Sequence, residues 1–204
     1  MSLQADTPPL ILASASAPRG ALLETAGLVF EALPARIDED AVKHAARHEE
    51  TPPEDAALLL ARLKAERVAA RRPEALVIGA DQILVCEGEW FDKPADRDAA
   101  AAHLRRLRGR AHVLVTAVLC LRGGQVAWQH VATPRLTMRA FSEEFLAAYL
   151  DQEGDAVLSS VGAYRLESLG MHLFDRIEGE HAAILGLPMI ALLGFLRQHG
   201  VVMN

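Results

Sequence analysis

The chain has 204 residues, of which 51% are hydrophobic and 24% charged, and this composition is typical of a folded globular protein rather than a disordered one. Its net charge of −6 excludes a general attraction to nucleic acid or to an anionic membrane, so a phosphate-bearing ligand would need local Lys and Arg. Two cysteines make no disulfide framework, and without a recognisable signal peptide or membrane span we expect a cytoplasmic protein.

Short apolar runs alternate with helical patterns in the first part of the chain. Leu10–Ala13 is a predicted buried strand, and the serines and proline of Ser14–Arg19 predict the start of a helix that ends at Gly27. A second strand is predicted at Phe30–Leu33. A polar loop is expected at Ile37–Asp40.

The middle of the chain contains its longest predicted helix and its most apolar strand. The helix is expected from Pro52–Pro53 to about Arg72, and its predicted inner side is formed by Ala56, Leu59, Leu60, Leu63 and Val68. The run Ala75–Asp81 is apolar up to its final carboxylate. This pattern predicts a strand that is covered on both faces and ends at Asp81.

The second half of the chain predicts further helices, strands and one long hairpin. In order, these are a helix capped by Asp96, a hairpin of Ala111–Leu121 and Gln125–Arg139 around Arg122–Gly124, a helix from Ser142 through Leu150, a strand at about Met171–Ile177 and a final helix after Gly186–Pro188. Together with the preceding βα units, the hairpin indicates an α/β fold on a mixed sheet.

The junction at Ser14–Arg19 is the first candidate for chemistry. Unpaired N–H groups at a helix N-terminus bind anions, and Ser14, Ser16 and Arg19 would add hydroxyl donors and a fixed positive charge for a phosphate. The alternative is that the two serines only cap the helix, which is common for serine at this position. The fragment alone leaves both interpretations open.

Asp81 and Lys93 form the second candidate. A carboxylate at the end of a buried strand, with a lysine twelve residues later, could activate water or bind a metal beside a cation that neutralises phosphate charge. A turn aspartate paired with a surface lysine is the structural alternative. The acidic stretch Asp38–Asp40 suits Mg²⁺ or Mn²⁺ but is also typical of a solvated loop, and Lys64 would ordinarily be an exposed lysine on a charged helix.

Short motifs along nearly the whole chain together resemble the Maf family. They are Leu10–Ser16, Ile37–Glu39, Leu60–Ala65, Gly79–Asp81, Lys93–Pro94, Leu107–His112, Gly162–Tyr164, and Ile177–Gly179 with Gly186–Pro188. The resemblance implies an elongated mixed sheet flanked by helices, of the inosine triphosphatase (Maf/Ham1) type. It implies a single domain over residues 1–204, with two closely associated lobes and a cleft between them, and often a homodimer.

The resemblance also implies a metal-dependent nucleoside triphosphate pyrophosphatase that cleaves between the α and β phosphates and uses Mg²⁺ or Mn²⁺. Asp81 matches the catalytic acid of the family, proposed as the general base, and with Glu39 it would bind the metal. Lys64 and Lys93 match catalytic lysines. Ser14, Ser16 and Arg19 match the substrate-binding block that reads S-x-S-P-R-R.

Three positions bear on which nucleotide is used. The combination of Gln82 and Glu167 is similar to the branch of the family that prefers 7-methyl-GTP. This preference has a physical reason, because a carboxylate could accept hydrogen bonds from the N1 and N2 donors of guanine. The chain departs from the family at Ala17-Pro18, where Pro18 replaces the specificity residue. The alternatives are a dTTP/UTP pyrophosphatase of the same family and a weakly active nucleotide-binding regulator of cell division, since the family is linked to septum formation.

Overall fold

The computed structural model describes residues 3–203. Its elements in chain order are β1 Leu10–Leu12, α1 Ala17–Thr25, β2 Glu31–Ala32, α2 Glu39–His48, α3 Pro53–Ala69, β3 Leu76–Cys86, β4 Glu89–Phe91, α4 Arg97–Leu107, β5 Ala111–Arg122, β6 Gln125–Ala132, β7 Arg135–Met138, α5 Glu143–Glu153, β8 Phe174–Glu178, α6 His181–Ile184 and α7 Met189–Gln198. Short 3₁₀ helices cover Gly154–Ser159, Val161–Ala163 and Leu169–Leu173.

The strands of residues 3–203 form one mixed sheet of eight strands. Its order is β2–β1–β3–β5–β7–β8, with β4 paired to β3 and β6 paired to β5. β1 is parallel to both β2 and β3, whereas the pairs β3–β4, β5–β6, β5–β7 and β7–β8 are antiparallel. The predicted α/β fold with a mixed, helix-flanked sheet is therefore confirmed.

The chain divides into two compact units. The first comprises the chain up to Asp81, Thr116–Ala132 and the chain from His181 onward, and the second comprises Gln82–Val115 and Thr133–Glu180. In the first unit, apolar side chains of β1, α1, β3 and α7 form a buried core that includes Leu12, Leu23, Ile78 and Leu192. Within residues 3–203, no helix is both long and apolar enough to cross a membrane.

Several predicted boundaries differ from the observed ones. β3 does not end at Asp81 but continues to Cys86, and the expected loop at Ile37–Asp40 is instead the start of α2, where Asp38 caps the helix by accepting the Ala41 N–H. The second arm of the hairpin is two strands, β6 and β7, rather than one. The strand expected from Met171 begins only at Phe174, after a 3₁₀ turn.

Candidate active site

A very close approach of α3 to β3 determines the geometry of the first unit around Asp81. A Cβ added to Gly79 in β3 would lie 2.1 Å from the Ala61 carbonyl oxygen and 2.9 Å from the Ala65 Cβ of α3. Both distances are shorter than an ordinary van der Waals contact, so only glycine permits this packing. As a consequence, the face of α3 that carries Ala61, Lys64 and Ala65 lies directly against the strand.

Lys64 joins two carboxylates from different elements. Its Nζ donates to Oδ1 of Asp81 at 2.6 Å and lies 2.9 Å from Oε1 of Glu39. Lys64 is only 7% exposed and Asp81 only 4%, while the Glu39 side chain remains 41% exposed. A buried charge requires a partner of opposite charge, and this triad supplies one. The structure therefore brings together three of the four predicted catalytic residues.

The second carboxylate oxygen of Asp81, Oδ2, is buried and accepts no hydrogen bond within residues 3–203. Most buried polar atoms have a hydrogen-bond partner, so this exception makes Oδ2 of Asp81 a candidate to contact a ligand.

Glu39 and Asp81 are the two carboxylates of this cluster that could hold a hard divalent cation. One oxygen of each lies within 2.9 Å of Lys64 Nζ, so the two side chains are close together and the ammonium group occupies the space between these two oxygens. Mg²⁺ is commonly held by one or two carboxylates while substrate phosphates and waters complete its shell. Within residues 3–203 there is no cluster of three or more His, Cys, Asp or Glu side chains suited to a metal.

Arg19 lies close to the carboxylates of Asp81 and Glu39 and is held there by three hydrogen bonds. Its Nε donates to the Gly186 carbonyl at 2.9 Å, and its Nη1 donates to the Ala80 carbonyl at 3.0 Å and to Ser14 Oγ at 3.3 Å. Burial lowers the pKa of the guanidinium, while the nearby carboxylates of Asp81 and Glu39 act in the opposite direction. Arginine stays charged at neutral pH, and the hydrogen bonds of Arg19 within residues 3–203 use Nε and Nη1 rather than Nη2.

The start of α1 shows that the two predicted serines differ in role. Ser14 Oγ accepts the backbone N–H of Ser16 at 3.2 Å as well as the Arg19 contact. Ser16 occupies the N-cap position, yet its side chain makes no capping hydrogen bond. Capping is therefore not the function of the Ser16 hydroxyl, which can serve an anion at this helix terminus. Pro18 lies in the first turn, where its missing N–H costs little.

The remaining predicted site residues belong to the second unit. Gln82 directly follows Asp81 in β3, Lys93 is exposed between β4 and α4, and Glu167 is an exposed residue between two 3₁₀ helices. Their roles in nucleotide binding stay predictions.

Two glycines of the motifs Gly79–Asp81 and Gly186–Pro188 support this site in ways that the motifs alone do not indicate. Gly79 sets the approach of α3, and Gly186, at a φ of 101°, supplies the carbonyl that holds Arg19. The signal for Gly79 was present, because Ala61 and Ala65 place two small residues one turn apart on α3. A similar signal existed for Lys64. It lies four residues from both Leu60 and Val68, and this spacing places it on the buried side of the helix.

The sequence profile described as "Maf-like protein" matches residues 9–199. The chain belongs to the Maf family. This Maf protein is 57% identical over 190 residues to a nucleoside triphosphate pyrophosphatase of Granulibacter bethesdensis, covering 93% of the chain and 96% of the relative. It is 50% identical over 196 residues to a 7-methyl-GTP pyrophosphatase of Rhizobium etli, covering 96% and 98%, and 47% identical over 202 residues to a nucleoside triphosphate pyrophosphatase of Rhodospirillum rubrum, covering 99% and 100%.

Proposed function

We propose that this Maf protein is a nucleoside triphosphate pyrophosphatase that hydrolyses the bond between the α and β phosphates. The observation that carries the proposal is Asp81, a buried carboxylate with one oxygen bound to Lys64 and the other without a hydrogen bond in residues 3–203. The names of the relatives at 57% and 47% identity support the same reaction. The products would be a nucleoside monophosphate and pyrophosphate.

Asp81 would act as the general base of this reaction. Lys64 holds Oδ1 at 2.6 Å and thereby directs Oδ2 away from itself, so Oδ2 is the atom that accepts a proton from the attacking water. Arg19, fixed through Nε and Nη1, would bind a phosphate oxygen through Nη2, and the Ser16 hydroxyl would donate a further hydrogen bond. The side chains of Lys64 and Arg19 are already held by hydrogen bonds before substrate binds, which reduces the reorganisation required in the transition state.

A divalent cation, Mg²⁺ or Mn²⁺, would be held by Glu39 and Asp81 and would supply positive charge to the phosphate oxygens. The charges of these side chains support a requirement for a metal. The two carboxylates of Glu39 and Asp81 are balanced by the positive charges of Lys64 and Arg19, so this cluster has no excess positive charge with which to attract a triphosphate. Lys93 is the further cation that we propose for the substrate.

We propose 7-methyl-GTP or another modified nucleotide as the preferred substrate. Glu167 would accept hydrogen bonds from guanine N1 and N2, while Gln82 and Pro18 would occupy the other two specificity positions. The Rhizobium etli relative, which carries the name 7-methyl-GTP pyrophosphatase, supports this preference. A dTTP/UTP pyrophosphatase is the alternative within the same class.

The reaction is tested by incubating purified protein with Mg²⁺ or Mn²⁺ and a panel of canonical and modified nucleoside triphosphates. Release of monophosphate and pyrophosphate in equal amounts is expected, with the highest kcat/KM for 7-methyl-GTP and a requirement for the metal. Binding of nucleotides without turnover of any of them would instead identify a regulator. A kcat/KM that is higher for dTTP or UTP than for 7-methyl-GTP would instead support the alternative, a dTTP/UTP pyrophosphatase.

Asp81→Asn tests the proposed base. The amide preserves the volume of the side chain but cannot accept the proton, so kcat is expected to fall about 10²–10⁴-fold while the far-UV circular dichroism is unchanged. Asp151→Asn is the matched control, because the Asp151 side chain is 78% exposed and pairs with Arg97 on the surface of the second unit. Wild-type turnover by the Asp81 variant would remove this residue from the mechanism.

Homodimer formation, a cytoplasmic location and a single two-lobed domain complete the proposal. They are supported by the similarity to the Maf family rather than by a contact in the first or second unit. Light scattering coupled to gel filtration would measure the mass of the particle, and a monomer mass would contradict the dimer.

A further inference from the structure

The second unit contains a buried carboxylate that the proposed reaction does not use. Glu153, at the end of α5, has a side chain that is only 2% exposed. Its Oε1 accepts the backbone N–H of Leu169 at 2.9 Å, and its Oε2 lies 3.5 Å from Nη1 of Arg165. Burying a carboxylate is unfavourable unless such partners compensate for lost water. Glu153 therefore anchors both Leu169 and the guanidinium of Arg165.

Arg165 connects this anchor to Glu167. While Nη1 faces Glu153, Nε donates to Oε1 of Glu167 at 3.3 Å. Within residues 3–203, Arg165 is the hydrogen-bond donor to the Glu167 carboxylate, and Oε2 of Glu167 accepts none. Each carboxylate oxygen has two lone pairs, so both oxygens of Glu167 can still accept a hydrogen bond from a ligand.

The backbone between Arg165 and Gly170 is also fixed. The Arg165 carbonyl oxygen accepts the N–H groups of both Ser168 and Gly170 at 3.1 Å. A Cβ at Gly170 would lie 2.3 Å from that same oxygen, so the loop closes as tightly as a glycine allows. The Arg165 guanidinium is therefore attached to a buried carboxylate at one end, and its backbone belongs to a tightly closed loop.

We infer that Arg165 is a positioning residue that fixes the Glu167 carboxylate for recognition of a guanine-type base, an inference that rests on the proposed function. Without Arg165, Glu167 would sample several rotamers and would have to be ordered at each binding event. The ordering affects binding of the nucleotides that use this carboxylate and leaves the chemistry at Asp81 untouched. Substrate discrimination by this Maf protein thus depends on Glu153 and Arg165 as well as on Glu167.

The test compares kcat and KM of Arg165→Met for 7-methyl-GTP and for dTTP. The KM for 7-methyl-GTP is expected to rise about 5–10-fold, the effect of one side chain that must be ordered on binding. The kcat for 7-methyl-GTP and both constants for dTTP are expected to stay within about 2-fold of wild type. Arg62→Met is the matched control, since Arg62 is an exposed residue of α3 that pairs with Glu66 on the same helix.

Two further variants separate positioning from structural support. In a Glu167→Ala background, Arg165→Met should add no further change, because no side-chain oxygen remains at position 167 to be positioned. Glu153→Gln keeps an oxygen for the Leu169 N–H but removes the charge that holds Arg165, so it should raise the KM for 7-methyl-GTP alone, by a smaller factor. Equal changes for 7-methyl-GTP and dTTP, or additive effects in the double variant, would overturn the inference.

Failure of the proposed function would be seen separately, in the wild-type protein. If wild type hydrolyses no nucleoside triphosphate, calorimetric titration with 7-methyl-GTP still measures the affinity of wild type and Arg165→Met. Weaker binding by the variant would support the positioning role, and equal binding would overturn it. Should Arg165→Met prove unfolded, Arg165→Lys retains the positive charge but not the planar fork that spans both carboxylates, and the same KM shift is expected.

Discussion

Replacement of Gly79 by alanine should strongly lower the turnover of the protein, although it changes none of the proposed catalytic side chains. The new Cβ would lie 2.1 Å from the Ala61 carbonyl oxygen and 2.9 Å from the Ala65 Cβ. An ordinary contact to that backbone oxygen is at least 3.4 Å, so α3 must move away from β3 by about 1 Å. Backbone atoms cannot relieve the overlap by rotating, and overpacking of this kind costs roughly 1–3 kcal/mol of unfolding free energy.

The same movement carries Lys64 away from Asp81, from a starting distance of 2.6 Å. A misplacement of about 1 Å in a catalytic arrangement can reduce the rate by about 100-fold. We therefore expect Gly79→Ala to lose about two orders of magnitude in kcat at a temperature where circular dichroism shows the folded state. The assay is release of pyrophosphate at saturating nucleotide.

Gly194→Ala provides the control for this prediction. It introduces the same methyl group in α7, where the nearest atom to the new Cβ is Arg197 Nη2 at 3.9 Å. Alanine has a higher helix propensity than glycine, so this variant should keep wild-type kcat and gain up to about 1 kcal/mol of stability. A folded Gly79→Ala protein with wild-type kcat would refute the link between strand–helix packing and the position of Lys64.

Three more predictions concern other parts of the structure. Arg19→Lys should raise the KM for nucleoside triphosphates because an ammonium cannot reproduce the bonds to Gly186 and Ala80 while binding phosphate, and steady-state kinetics would measure this. Burial lowers the pKa of His112 from 6.5 to about 4. The unfolded state therefore binds more protons between these values, and stability should fall by about 2–3 kcal/mol between pH 7.5 and 4.5 in urea titrations, with a weaker dependence in His112→Phe. Burial also raises the pKa of the thiols of Cys86 and Cys120, so neither should react rapidly with a thiol reagent at pH 8, whereas both should react in denaturant.

The fold class and most helices could be predicted from the sequence because their signals are local. Caps such as Asp96 and Ser142 accept hydrogen bonds from residues only three positions away, Ala99 and Phe145, as expected of N-caps. Asp38 was interpreted as a loop residue because acidic runs are usually solvated, but it caps α2 in the same manner. Its local signal was present and was outweighed by the composition of its neighbours.

Asp81 could be identified, but its setting could not. A carboxylate after a run of buried residues indicated a strand end, because a charge normally requires water. In the structure Lys64 supplies the compensating charge, so β3 continues through Asp81 to Cys86. The pairing depends on two residues that are seventeen positions apart, and no local pattern encodes such a contact.

The orientation of α3 was also only partly predictable. Leu59 was expected on the inner side yet is 44% exposed, while Lys64 is buried. Hydrophobicity alone places leucine inside, but the approach of Gly79 to Ala61 turns the small-residue side of the helix toward the strand. Steric fit to a partner outside the helix thus decided which face is covered, and this fit becomes visible only in three dimensions.

The hydrogen bond from Arg19 to the Gly186 carbonyl links residues 167 positions apart. During synthesis on the ribosome, Arg19 emerges early, whereas its acceptor Gly186 is translated only after all eight strands that the structure describes. A nascent chain that stops before Gly186 therefore contains Arg19 without one of its three hydrogen-bond acceptors, although Asp81 has already been synthesised. Full anchoring of the Arg19 guanidinium would therefore be a late event in the folding of the nascent chain.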